Sequence, residues 1–213
     1  ICAVPGFVVG LLLFFVLREP AQTQGGALIG AAGNAGTGRW LDVLKSRNIV
    51  VCMFALFCAM SCVFVLSALV PTYLVEYLRL TPAQMGIVTS ALGFGGFFGQ
   101  FGVPGLSDLF GRKLMAVIGF VGAAVSLYVF ARTGANPVAL FAWLFMVSFF
   151  CLGNVALITG PIATEAAPVG LVASAIGVVV GGGEIFGGGV APSIAGFVGS
   201  RYGIENTLWV ALA

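Results

Sequence analysis

Five apolar runs of membrane-crossing length follow one another with only short polar breaks: Ile49 to Pro71, Gln84 to Pro104, Leu114 to Ala131, Pro137 to Gly160 and Gly170 to Gly199. A helix needs about 20 largely apolar residues to cross the hydrocarbon core, because each residue adds only about 1.5 Å of rise. The chain is 8% charged, far below the roughly 25% of a water-soluble domain, so it cannot cover itself with polar surface. None of the runs alternates with the two-residue period of a barrel strand, so the backbone groups within lipid must be satisfied inside helices. The expected fold is an all-α integral membrane protein, a polytopic helical bundle. Gly170 to Gly199 is longer than a span requires, so it is expected to tilt or to reach into the interface.

Two partial runs flank the five, one ending at Leu17 and one starting at Thr207. The opening run lacks the basic start and small-residue cleavage site of a signal peptide. The chain therefore reads as a fragment of a longer membrane protein, cut inside a span at each end. If alternate loops share a side, Arg18, Arg39, Lys45, Arg47, Arg112 and Lys113 fall together, and Arg79, Arg132 and Arg201 fall opposite. The positive-inside rule makes the first group cytoplasmic. Of the polar stretch from Arg18 to Asn48, the part from Glu19 to Gly38 is rich in Gly, Ala, Gln and Asn and is expected to be flexible. Its second part, Arg39 to Arg47, places Trp40, Leu41 and Leu44 on one helical face. It reads either as a short helix at the membrane surface or as an ordinary basic flank.

The formal net charge of +2 is too small, and the basic residues too scattered, to suggest nucleic acid, so no nucleic-acid partner is expected. Five cysteines without paired spacing do not make a disulfide framework. The absence of histidine removes the commonest metal ligand and general base, so no metal or cofactor is expected. Cys58 and Cys62, four apart on one helical face, read as small-residue packing rather than metal ligands. A membrane enzyme would need a nucleophile with a base, or a metal site, and Ser61 and Ser67 have no evident partner.

The compact cluster from Pro104 to Lys113 reads as a tight hairpin outside the lipid. Gly111 supplies backbone freedom, Asp108 is placed to cap or pair, and Arg112 and Lys113 carry charge at the start of the next helix. Just before it, Gly93, Gly96, Gly99, Gly102 and Gly105 recur every third residue, with a Gly95-x-x-x-Gly99 pair beside them. Such small-residue faces let helix backbones approach closely, either statically or so that they slide. Gln100 lies in this stretch and is expected to point at a neighbour or a cavity.

In the last complete span, Glu184 sits near the middle among Gly177, Gly181, Gly182, Gly183, Gly187, Gly188 and Gly189, followed by Pro192 and Gly196. A carboxylate at that depth is neutralised by a proton, paired, or open to a watery cavity. It reads as a pathway or proton-coupling residue, with a structural hydrogen bond as the alternative. The glycines and Pro192 weaken the helix and mark a place where it can bend. Asn154 is a lone polar residue in its span, placed either to line a cavity or to hydrogen-bond between helices. Glu165 lies in a short loop on the side assigned to Arg112, where it can pair with Arg112 or Lys113 in a gate.

Three places carry a resemblance to the second half of a major facilitator superfamily transporter. Leu69-Val70-Pro71-Thr72-Tyr73-Leu74 resembles the outer end of the seventh helix, and Ser107-Asp108 with Gly111-Arg112-Lys113 resembles the loop between helices eight and nine. Glu165 to Pro168, with Gly177 and the Gly183-Glu184 run, resembles the corresponding part of permeases for organic anions and carboxylates. The match departs at Pro104, where the motif usually has glycine, with Gly105 one place later, and at Leu109, where it has arginine. The resemblance implies a C-terminal six-helix half: residues 1–17 end a helix of the N-terminal half, 18–48 form the central cytoplasmic loop, and 49–213 hold five full spans and the start of a sixth. It further implies alternating-access transport of a small-molecule substrate, an organic anion, coupled to H+ in the cytoplasmic (plasma) membrane, with the missing N-terminal half and the lipid bilayer as partners. Asp108 and Arg112 would stabilise one access state. A non-transporting receptor or assembly subunit on the same scaffold is the alternative.

Overall fold

The computed structural model describes residues 40–168, 171–203 and 207–212, and among these residues no strand occurs. Five helices long and apolar enough to cross a membrane account for most of them: α1 (Arg47–Tyr77), α2 (Pro82–Phe110), α3 (Arg112–Arg132), α4 (Pro137–Ala166) and α5 (Val172–Tyr202). A short helix, α6 (Thr207–Leu212), follows. The protein is an all-α integral membrane bundle. The expected span ending at Leu17 and the flexible stretch to Gly38 lie outside the described residues.

The helices run longer than their apolar runs because local capping chemistry sets their ends. Thr81-Pro82-Ala83-Gln84 starts α2 two residues before the apolar run. The Thr81 hydroxyl accepts from the Gln84 N–H, and the Gln84 side chain accepts in return from the Thr81 N–H. Pro82 fits the first helical turn, where its missing N–H costs nothing. Asn136 caps α4 in the same way, accepting from the N–H groups of Val138 and Ala139. At the other end of α1, the helix continues past Pro71 through a π-helical turn over Tyr73–Tyr77. The Leu80 N–H then reaches back to the Leu74 carbonyl at 3.0 Å.

That closure puts Arg79 in the left-handed region, at φ 57°. A side chain there costs about 1–2 kcal/mol that glycine does not. Arg79→Gly is expected to raise the thermal unfolding midpoint of the detergent-solubilised protein. A lower midpoint would show that the arginine side chain makes a contact worth more than its strain.

The residues leading into α1 form a short 3₁₀ helix, Trp40–Lys45. Its inward residue is Val43, fully buried against Ile49, Cys52, Ile158, Ala175 and Val179. Of the residues expected on the apolar face, Leu44 is 37% exposed, and the side chains of Trp40 and Leu41 lie outside those described. The exposure of Leu44 follows from the tighter winding: at three residues per turn, the face is not the one an α-helix would present.

Lipid supplies no hydrophobic force between spans, so close packing decides which helices touch. α2 and α4 meet backbone to backbone. A methyl group on Gly95 would run into the Phe145 carbonyl, one on Gly99 into the Phe149 carbonyl, and one on Gly153 into Val103 and the Gly99 carbonyl. The Ser148 hydroxyl donates to the Leu92 carbonyl across the same seam, at 2.5 Å. α5 lies on α1 through Gly183 against Leu56 and Gly187 against Met60. Between α1, α3 and α4 sits a larger core, with Tyr73, Leu74, Phe130, Leu140 and Leu144 buried together. α5 is not one continuous rod: a π-helical turn over Ile185–Val190 separates two α-helical pieces. The first piece buries Ala175 and Val179 against the start of α1, and the second buries Ala191 and Ala195 against Val65.

Candidate functional site

Two carboxylates at one end of the bundle converge on Arg112. α2 stays helical through Phe110, so the expected hairpin from Pro104 to Lys113 shrinks to one non-helical residue, Gly111, at φ 92°. Nothing between Pro104 and Phe110 is able to break the helix. Pro104 removes the bond to the Gln100 carbonyl and crowds it, yet the helix carries on through it, as spans in a bundle tolerate. Gly105 is helical, with open space beside it, and makes no turn. The reversal at Gly111 places Arg112 at the first position of α3, pointing back along the end of α2.

Arg112 holds three partners from two other helices. Its Nη1 lies 3.0 Å from Asp108 Oδ1 and donates to Ser107 Oγ at 3.2 Å, both on α2. Its Nε donates to Glu165 Oε1 at 2.5 Å, on the last turn of α4. Ser107 is buried and in turn donates to the Pro104 carbonyl at 2.6 Å, which fixes the oxygen that steadies the guanidinium. Two cations at a helix N-terminus oppose the helix dipole, and the two carboxylates offset this at Arg112. Lys113, the next residue, is exposed. The arrangement links α2, α3 and α4 through one planar, permanently charged group, a task that lysine cannot perform. Ser107 carries part of it and is the group that a reading of charges alone passes over.

Glu184 lies elsewhere, at the junction between the first piece of α5 and its π-turn. Its neighbours Gly183 and Gly187 abut Leu56 and Met60, which sets its level near the middle of α1. From Val172 it is 12 steps along the helix, roughly 18 Å, about half the hydrocarbon thickness. Glu184 is exposed on the described bundle, beside the strip of glycines that packs on α1. It does not share the apolar groove of about 410 Å³ that Val50, Met53, Phe54, Phe57, Gly182, Phe186 and Val190 line. Two residues from both Gly182 and Phe186, it projects from the opposite side of the helix.

Gln100, expected to point at a neighbour or a cavity, is exposed on α2 near the exposed Phe97 and Phe101 and is not buried against another described span. Asn154 is fully buried between α3 and α4, where its Nδ2 donates to the Ala116 carbonyl at 3.3 Å. It fills the space left by Gly119, so its contacts favour the interhelical hydrogen bond of the two readings.

The glycines also divide. Gly96 abuts Leu152, Gly99 the Phe149 backbone, Gly102 the Phe149 ring and Gly188 the Phe64 ring. Gly93 and Gly181, expected at helix contacts, have nothing near them. Steps of three residues rotate about 60° short of a full turn, so such a series drifts off any one face. Gly95, Gly119, Gly122, Gly153, Gly183 and Gly187 make further close contacts of the same kind.

A family model described as Major Facilitator Superfamily matches residues 52–213, from the first turns of α1 to the end of the chain. The chain belongs to the Major Facilitator Superfamily. It is also 33% identical over 120 residues to an uncharacterized protein of Archaeoglobus fulgidus, a match covering 55% of this chain and 54% of the relative. The matched stretch thus spans about half the length of that curated relative.

Proposed function

We propose that the chain is the C-terminal half of a secondary transporter that moves a small solute by alternating access. Superfamily membership supports transport, and the observation that carries the reading is the three-way hold of Arg112 on Ser107, Asp108 and Glu165. In this reading the link is made in one access state and loosened in the other as α2, α3 and α4 shift at that end, so it biases the balance between the two. With the basic residues of the short loops on that side, the Arg112 end is the cytoplasmic end, and the link favours the state closed there. The matching N-terminal half would supply the second bundle.

Glu184 is the coupling residue of this proposal. A carboxylate at mid-depth, exposed on its bundle, is suited to bind a proton when facing one side and release it to the other. The organic-anion assignment is supported by resemblance alone. The basic residues of the five described spans lie at their ends, so positive groups that hold an anion would come from the other half.

The test uses full-length protein reconstituted into vesicles with an imposed pH gradient and a panel of small solutes. Glu184→Gln is expected to abolish accumulation above equilibrium, at least a tenfold loss, while facilitated equilibration persists. Undiminished accumulation at every pH would remove Glu184 from coupling, and no uptake of any solute by the wild-type protein would count against transport.

A further inference from the structure

Two thiols that the transport reading does not use meet in the middle of the bundle. Cys62 is on α1 and Cys151 on α4, and the Cys151 thiol donates to the Cys62 sulfur at 3.4 Å. They are 8% and 4% exposed, in one cluster with Leu66, Leu144 and Val147. Cys62 is the central residue of α1, 15 positions from Arg47 and 15 from Tyr77, and Cys151 is at mid-length of α4, the part of a span that is farthest from water. A disulfide needs a sulfur separation of about 2.05 Å, so closing the pair takes about 1.4 Å, within reach of small side-chain rotations.

We propose that Cys62 and Cys151 form a redox-active dithiol that a lipid-soluble hydroperoxide converts to a disulfide, tying α1 to α4. The apolar surroundings select the oxidant, since an uncharged organic hydroperoxide can enter hydrocarbon and a charged oxidant pays the full cost of desolvation. In the first step the Cys151 sulfur attacks the peroxide. The S–O bond forms as the O–O bond breaks, and the thiol proton goes to the departing alkoxide, giving a sulfenic acid and an alcohol. In the second, the Cys62 sulfur attacks the sulfenic sulfur. The S–S bond forms, the S–O bond breaks, and hydroxide leaves with the Cys62 proton as water. The peroxide accepts the two electrons, and no ion is left in the apolar interior. Cys58, one turn before Cys62 and half-buried, lies outside this pair and serves as an internal comparison.

The experiment incubates the full-length protein in phosphatidylcholine vesicles with cumene hydroperoxide. The protein is then denatured, remaining thiols are alkylated, and peptides are analysed by mass spectrometry without reduction. The expected result is a linked Cys62–Cys151 peptide pair and two fewer alkylated thiols than in untreated protein. Cys62→Ser and Cys151→Ser should each lose the linked pair. Full alkylation of both residues after a treatment that oxidises Cys58, or a link from either residue to a different cysteine, would overturn the proposal.

Discussion

Gly99→Ala is expected to unseat α2 from α4. The added carbon would lie against the Phe149 carbonyl and Cα, and backbone at the heart of a helix seam does not move aside as a side-chain tip does. Overpacking costs about 1–3 kcal/mol where neighbours yield, and more where they do not. The helix-propensity gain of alanine over glycine returns at most about 1 kcal/mol. A fall in thermal midpoint, with a several-fold loss of folded protein after extraction, is therefore the predicted outcome. Gly93→Ala is the matched control: two turns away on the same helix, it has open space beside it and should leave the midpoint unchanged or raise it. Equal behaviour of the two variants would mean that α2 and α4 do not touch through their backbones.

Arg112→Gln is expected to cut the transport rate of the full-length protein at least tenfold while leaving its unfolding midpoint close to wild type. The separation of the two effects follows from exposure. The Asp108 and Glu165 side chains are 65% and 60% exposed, so losing their partner leaves them solvated, and exposed pairs contribute little to stability. On the proposed reading, what disappears is a contact made in one access state only, which shifts the balance between states. Arg112→Lys keeps the charge but not the three-way geometry, so it should recover part of the rate. Asp108→Ala leaves the link to Glu165 and should be milder. Wild-type rates in Arg112→Gln would reduce the cluster to an ordinary surface ion pair.

The spans were legible because a run of apolar residues as long as Ile49 to Pro71 has no alternative in a chain without soluble surface. Their ends were harder to place. Thr81-Pro82-x-Gln84 is a readable capping signal, yet it lies outside the apolar run, and the π-turn after Pro71 has no pattern of its own. The charged cluster was visible as Asp108, Arg112 and Glu165, because charges this scarce in a membrane chain have few places to go. Ser107 was less so, since a serine at a helix end has many uses. The every-third-residue glycines suggested a single face, and the helical period broke that face up. Gly95, Gly99 and Gly153 became a seam only once two helices were set side by side. Whether Asn154 met a cavity or a neighbour depended on Gly119, a residue on another span, and no periodicity within α4 encodes it.

Cysteine labelling of the full-length protein in closed vesicles, in a background without the native cysteines, tests the threading on which the transport account depends. With a membrane-impermeant maleimide, Lys113→Cys at the Arg112 end should react from the cytoplasmic face alone, and Gly134→Cys, beyond the far end of α3, from the opposite face alone. Reaction of both positions from the same face would contradict the account.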